Sequence, residues 1–407
     1  MKESVTIMES LTELYKIGFG PSSSHTMGPA RASEYFISLF PNAYSYEVVL
    51  YGSLSLTGRG HLSDAKIIEV FNGRKINVIF SNKFEGLTYS NTMDFIAYSE
   101  TKQILGQKRI YSIGGGSILV EGEERSKIHD VYPFANFSAL IKEASDKHMS
   151  LSQLVYHYEN PGIKAYLLKV WKSMKATIAK GLETEGFLPG KLHISRKAKF
   201  LSEHRLDDKP WEQSDRELMC YAYAAAEENA SGGVVVTAPT CGSSGVLPAA
   251  MLFLQKNRNL SDDQIIDALA VASLVGNMVK QNASISGADC GCMAEIGTAT
   301  AMTAAAIAYL NAYTNDQIEY AAEVSLEHHL GLTCDPVEGY VQIPCIERNA
   351  VCVLRAFDAV SVSKYLTGSR RVSLDVVIKT MNETGRDLTD KYRETSQGGL
   401  AKSFGLY

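Results

Sequence analysis

Apolar residues recur at helical spacing through most of the chain beyond about residue 135. The segments PGIKAYLLKVWKSMKATIAKGL, SDRELMCYAYAAAEENA, SDDQIIDALAVASLVGNMVKQN and NDQIEYAAEVSLEHHLGL all follow this pattern. Ser261, with Gln264 three residues on, has the spacing of a capping box. These segments are too apolar to be solvated on every side, so they predict a packed helical domain. The earlier part reads differently. YEVVLYGSLSL (46–56) and KINVIF (75–80) are β-rich runs, and HLSDAKIIEVF between them has helical spacing with Ser63 as its cap. RIYSIGGGSILVEG (109–122) reads as two strands broken by three glycines. The pattern predicts an α+β protein, with an N-terminal mixed α/β domain over 1–150 and an all-helical domain over 151–407.

With 407 residues, 45% of them hydrophobic and 21% charged, the chain has ample material for a sizeable core and does not read as disordered. Its formal net charge of -5, without a basic block, argues against nucleic acid or an anionic membrane as main partner. The opening MKESVTIMESLTELYK mixes charges among its apolar residues and does not read as a secretory signal. TATAMTAAAIAYL (298–310) is too short to span a bilayer and reads as a buried helix. A cytoplasmic location is expected.

Seven cysteines are too few for a disulfide scaffold, but six of them, from Cys241 to Cys352, fall within 112 residues. Cys334 and Cys345 bracket CDPVEGYVQIPC, a loop stiffened by Pro336 and Pro344. A single buried cysteine is more often a small hydrophobe than a ligand. Here the thiols stand in loops, and no CxxC pair suggests a zinc ribbon. Wide spacing also fits an iron–sulfur cluster held from separate loops. Cys290 and Cys292 form a CxC ahead of a helical run; Cys292 falls at the helix start, where amide donors favour a thiolate.

The other chemistry lies in loops of small polar residues. PSSSHT (21–26) suits a helix cap, or a polar nest for a carboxylate with His25 as donor or proton carrier. His61 in TGRGHLSD is placed similarly. SIGGGS (112–117) suits a hairpin turn, or a phosphate cradle of the kind pyridoxal phosphate needs. The P-loop pattern, HExxH and GxSxG are all missing.

Taken together, GFGPSSSHTMGPARA, YGSLSLTGRGH, SIGGG, TEGFLPG, EENASGG, NASISGAD, LEHHLGLTCDPV, VQIPCIERNA and KYRETSQGGLA resemble, in order, the bacterial iron–sulfur L-serine dehydratases. The resemblance runs from residue 18 to 401 and implies a β-type N-terminal domain, a helical catalytic domain and a homodimer. It also implies a [4Fe-4S] cluster on Cys292, Cys334 and Cys345, with one iron open to substrate. Two departures stand out. Members of the family often end in a cysteine that can occupy the open iron, whereas Leu406 stands near that place here. Water, another residue or a partner is then expected to fill the site at rest. TAPTCGSSG has Cys241 where the family has asparagine, and Cys290 replaces an apolar residue, so either is a candidate fourth ligand.

The resemblance implies conversion of L-serine to pyruvate and ammonia. Hydroxide leaves poorly and the Cα proton is weakly acidic, so the reaction needs a Lewis acid and a base. His25 and His61 are the leading base candidates, and Lys280 is a third if burial lowers its pKa. Ser23, Ser24, Thr26, Asn282 and Arg348 are candidate donors to the substrate carboxylate. L-threonine or L-cysteine as substrate, a pyridoxal-phosphate lyase, and a non-catalytic sensor are the alternatives.

Overall fold

Tyr46, Val48 and Leu50 are buried and alternate with half-buried neighbours along the strand Ser45–Leu50, as a pleated strand with one face on a core requires. The computed structural model describes residues 8–83, 85–123, 130–204 and 207–404. Ser45–Leu50 lies inside a five-stranded sheet of order Ile76–Phe80, Ser45–Leu50, Thr92–Tyr98, Ile104–Ser112 and Ile118–Val120. The first pair is parallel and the others antiparallel. A parallel pair needs a crossover, which the helix Ser63–Phe71 supplies. That helix and Gly28–Leu39 place Ile67, Phe71, Ala32 and Phe36 against Val48, Leu50 and Phe95 in a core of their own.

The run 46–56 is not one strand. It stops at Leu50 because Gly52 adopts φ +57, where an added Cβ would lie 2.2 Å from the Ser90 carbonyl. Ser53–Thr57 then forms a short helix. Ser63 opens its helix but does not cap it; its hydroxyl instead donates to the His25 carbonyl.

The helical half contains the expected helices, including Ile163–Glu183, Pro210–Ala230, Asp262–Asn282 and Asn315–Glu327. Ser261 and Gln264 form the capping box. Thr298–Leu310 is sheathed by Asp262–Asn282, Asn315–Glu327 and Cys345–Tyr365. The longer run Gly287–Leu310 has the length and composition to cross a membrane, yet 94% of its most apolar window is buried within the fold.

Two short seams escape the period-two pattern because they are too short to show it. Ile17–Phe19 pairs with Val234–Val236, and Met8–Glu9 with Asp130–Tyr132. Leu11, Leu14, Tyr15, Tyr132 and Phe137 accordingly pack into the helical core, while the separate sheet core draws on residues between Ala32 and Val120. The Ile17–Phe19 seam leads straight into the PSSSHT segment and fixes it to the helical body.

Candidate active site

The PSSSHT segment folds as a wide, π-helical turn, Ser23–Met27. Ser22 caps it, its hydroxyl accepting from the His25 amide at 3.1 Å. His25 is fully buried. Its Nε2 lies 3.0 Å from Ser53 Oγ, and Ser53 donates onward to the Glu394 carbonyl at 2.7 Å. Nε2 therefore carries the hydrogen, and Nδ1 faces Ser24 Oγ at 2.9 Å. His61 follows the short helix Ser53–Thr57, and its Nδ1 donates to the Thr57 carbonyl at 2.9 Å. The two imidazoles stack with centroids 4.5 Å apart. Thr26 donates to the His61 carbonyl at 2.7 Å, which fixes the two histidine loops to each other.

Glu394 closes this group from the far end of the chain. Its Oε1 lies 3.5 Å from His25 Nδ1 and 3.4 Å from His61 Nε2. The three side chains are buried, and their ligand-type atoms lie within 4.8 Å of one another, a spacing that a metal ion would also accept. Burial lowers the His25 pKa to about 4, against the pull of Glu394 and with the help of His61. Burial raises the Glu394 carboxyl, but His25 and His61 outweigh it and hold the group below the ordinary glutamate value.

The cysteines approach from the opposite side. Cys334 is held by backbone, its amide donating to the Tyr392 carbonyl and its carbonyl accepting from the Glu394 amide, both at 2.8 Å. Cys345 opens the helix Cys345–Tyr365 directly after Pro344. Cys292 precedes the turn Met293–Gly297, which runs into the buried Thr298–Leu310 helix. All three thiols line one small cavity together with Pro21, Ser22, His61, Gly242, Glu295, Ile296, Pro336, Val341 and Glu394. Contact with Cys334 lowers the Cys292 thiol and raises that of Cys334. Arg348 lies close enough to Cys292 to favour its thiolate further. Burial, and then Cys292, raises Cys345. Burial, followed by Glu394 and Cys292, pushes the Glu295 carboxyl well above its ordinary value.

Glycine keeps this space open. A Cβ on Gly287 would come within 2.8 Å of Glu295 Oε2 and 3.1 Å of Cys334 Sγ. Three convergent soft donors, a cation beside them and a wall stripped of side chains suit a thiolate-bound metal cluster.

The remaining candidates do not line the cavity. Ser24 and Thr26 are committed to the histidines, and Ser23 is buried within the turn. Arg348 is turned to the Thr333 carbonyl at 2.8 Å, with Asp335 at 3.6 Å. Lys280 pairs with Glu9 at 2.7 Å, and Asn282 donates to the Ala135 carbonyl; neither lines the cavity. Cys241 packs beside Met27, 3.8 Å between sulfurs, and Cys290 faces Gly385 on the helix Leu374–Asp387. Leu406 lies outside the described residues. The SIGGGS segment is the hairpin turn, its glycines at φ +90, +56 and +74 packed against Ser286, Ile285 and Met27. Ser53, Glu295 and Glu394 were not singled out by the sequence. Glu295 falls one helical turn after Cys292, and Glu394 is the acid of KYRETSQGGLA, the only sequence signals that could have found them.

A family model described as the serine dehydratase alpha chain matches residues 103–401, and one for the serine dehydratase beta chain matches residues 10–82. The L-serine dehydratase of Haemophilus influenzae is 39% identical over 97% of this chain and 99% of its own length. The L-serine dehydratase TdcG of Escherichia coli is 40% identical over the same shares. The L-serine dehydratase of Streptomyces coelicolor is 36% identical over 96% of this chain and 98% of its own.

Proposed function

We infer that this chain, which belongs to the serine dehydratase family, is an L-serine ammonia-lyase, a carbon–nitrogen lyase that converts L-serine to pyruvate and ammonia. The observation that carries the reading is the meeting of three thiols with a buried histidine and glutamate in one cavity. Family members are generally metal-dependent. The proposed metal group is a [4Fe-4S] cluster on Cys292, Cys334 and Cys345, which supplies a Lewis acid for the departing hydroxyl when bound.

The chain's own groups divide the remaining work. His61 lines the cavity, and its Nδ1–H is spent on the Thr57 carbonyl, so Nε2 holds the lone pair. Nε2 is the proposed acceptor of the Cα proton. Glu394 Oε1, 3.4 Å away, stabilises the imidazolium that results. His25 supports this ring from the stacked position and does not itself line the cavity. Ser22 is the hydroxyl-bearing residue of PSSSHT that lines the cavity, and it is the proposed donor to the substrate carboxylate. Pro21, Ile296, Pro336 and Val341 make the site apolar, so these contacts act at low dielectric. The enamine left by loss of water tautomerises and hydrolyses to the products.

The reading includes a homodimer, on the strength of the family resemblance, and a cytoplasmic location. Its test is an anaerobic assay with L-serine, L-threonine and L-cysteine in parallel. Pyruvate and ammonia in equal amounts from L-serine is the expected result. Preference for L-threonine, read as 2-oxobutyrate, would reassign the substrate. No keto acid from any of the three would overturn the reading.

A further inference from the structure

An α-amino acid brings a carboxylate, an ammonium and a leaving group, and a buried ammonium needs an anion. The cavity is lined by two carboxyl groups, Glu295 and Glu394. Glu295 faces the thiols, with Oε2 3.9 Å from Cys334 Sγ and the Gly287 backbone beside it. Glu394 faces the histidines, and only one of its oxygens is used. Oε1 meets both rings, whereas Oε2 has no hydrogen-bond partner among the described residues, although Glu394 is only 4% exposed. The Ala288 amide is near enough to help hold the carboxylate, yet it does not complete a bond to Oε2. A buried carboxylate oxygen without a donor is costly unless a ligand supplies one.

The backbone holds that oxygen in place. Glu394 stands at φ +57, its amide donates to the Cys334 carbonyl and its carbonyl accepts from Ser53 Oγ. The two hydrogen-bond partners of that backbone, Cys334 and Ser53, are themselves buried, which fixes the main chain from which the carboxylate projects.

We propose that Glu394 receives the substrate's ammonium group through Oε2, and so distinguishes an α-amino acid from the same acid without nitrogen. This rests on the L-serine dehydratase reading. Cα is one bond from the ammonium nitrogen, so the same contact brings the Cα proton toward His61 Nε2, which shares the carboxylate through Oε1.

The test compares Kd values, by calorimetry under anaerobic conditions, for two unreactive probes in native protein and Glu394→Gln. L-Alanine keeps the ammonium and lacks the leaving group; 3-hydroxypropanoate keeps the hydroxyl and lacks the ammonium. Loss of one charged hydrogen bond should weaken L-alanine roughly 10- to 100-fold, while 3-hydroxypropanoate changes less than about threefold. Parallel changes in both, or no change in either, would overturn the assignment. Should Glu394→Gln lose its iron, Glu394→Asp is read by the same ratio, where a shift above about threefold supports the assignment and an unchanged ratio defeats it. Native protein that forms no pyruvate from L-serine would instead defeat the underlying reading.

Discussion

The histidine wall of the cavity is held by side-chain hydrogen bonds, whereas the cysteine wall is held by backbone and helix packing. Ser24, Ser53 and Thr57 each contact an imidazole nitrogen, directly or through a carbonyl, and Thr26 and Ser63 hold the loop carbonyls. Nearly every polar atom there has a partner, so the rings are fixed before anything binds. On the other wall the thiols have few partners of their own. Their positions follow from where the Cys345–Tyr365 helix begins, where the Met293–Gly297 turn begins, and where residue 334 pairs with residues 392 and 394. One wall is thus organised for proton handling and the other for gathering sulfur around a guest. The segment from Tyr392 to Glu394 belongs to both, since it pairs with Cys334 and presents Glu394 to the histidines.

Substitutions can break this division in order of size. Cys334→Ser or Cys345→Ser should abolish activity and drop iron content from about four per chain, the complement of such a cluster, to well below one. Iron and sulfide analysis reads this, and retention of the full complement would contradict the ligand assignment. His61→Gln should lower kcat by roughly 10²- to 10⁴-fold while iron content stays as in native protein. Equal loss of iron would mean that the two walls are not separable. Ser53→Ala removes the acceptor of His25 Nε2 and the donor to the Glu394 carbonyl. It should destabilise the fold by about 1–3 kcal/mol in thermal or denaturant unfolding, with iron still bound. The smallest effect belongs to Cys290→Ala. Its thiol faces Gly385, and burial pushes its pKa up to about 11, so iron content and kcat should stay within about twofold of native. A marked loss of iron would restore Cys290 as a ligand.

Helices were legible because long apolar stripes leave a strong period, as in Ile163–Glu183 and Asp262–Asn282. The cysteine loops were legible from thiols and prolines standing off those stripes. The strand Val234–Val236 was not, since three residues carry no period and its partner lies more than 200 residues away. Glu394 was hidden for a similar reason. An acid in a glycine-bordered loop looks solvated until the fold shows it buried against the nitrogens of two stacked rings. Lys280 was a candidate base on the condition that burial lowered its pKa, but it spends its charge on Glu9. In each case the missing information was a contact between distant parts of the chain.

The most direct measurement takes one anaerobic sample and determines iron, sulfide and the rate of pyruvate formation from L-serine together. The account predicts brown protein with about four irons per chain, whose activity falls in proportion as air or chelator removes the metal. Colourless, iron-free protein that turns over L-serine at the full rate would contradict it.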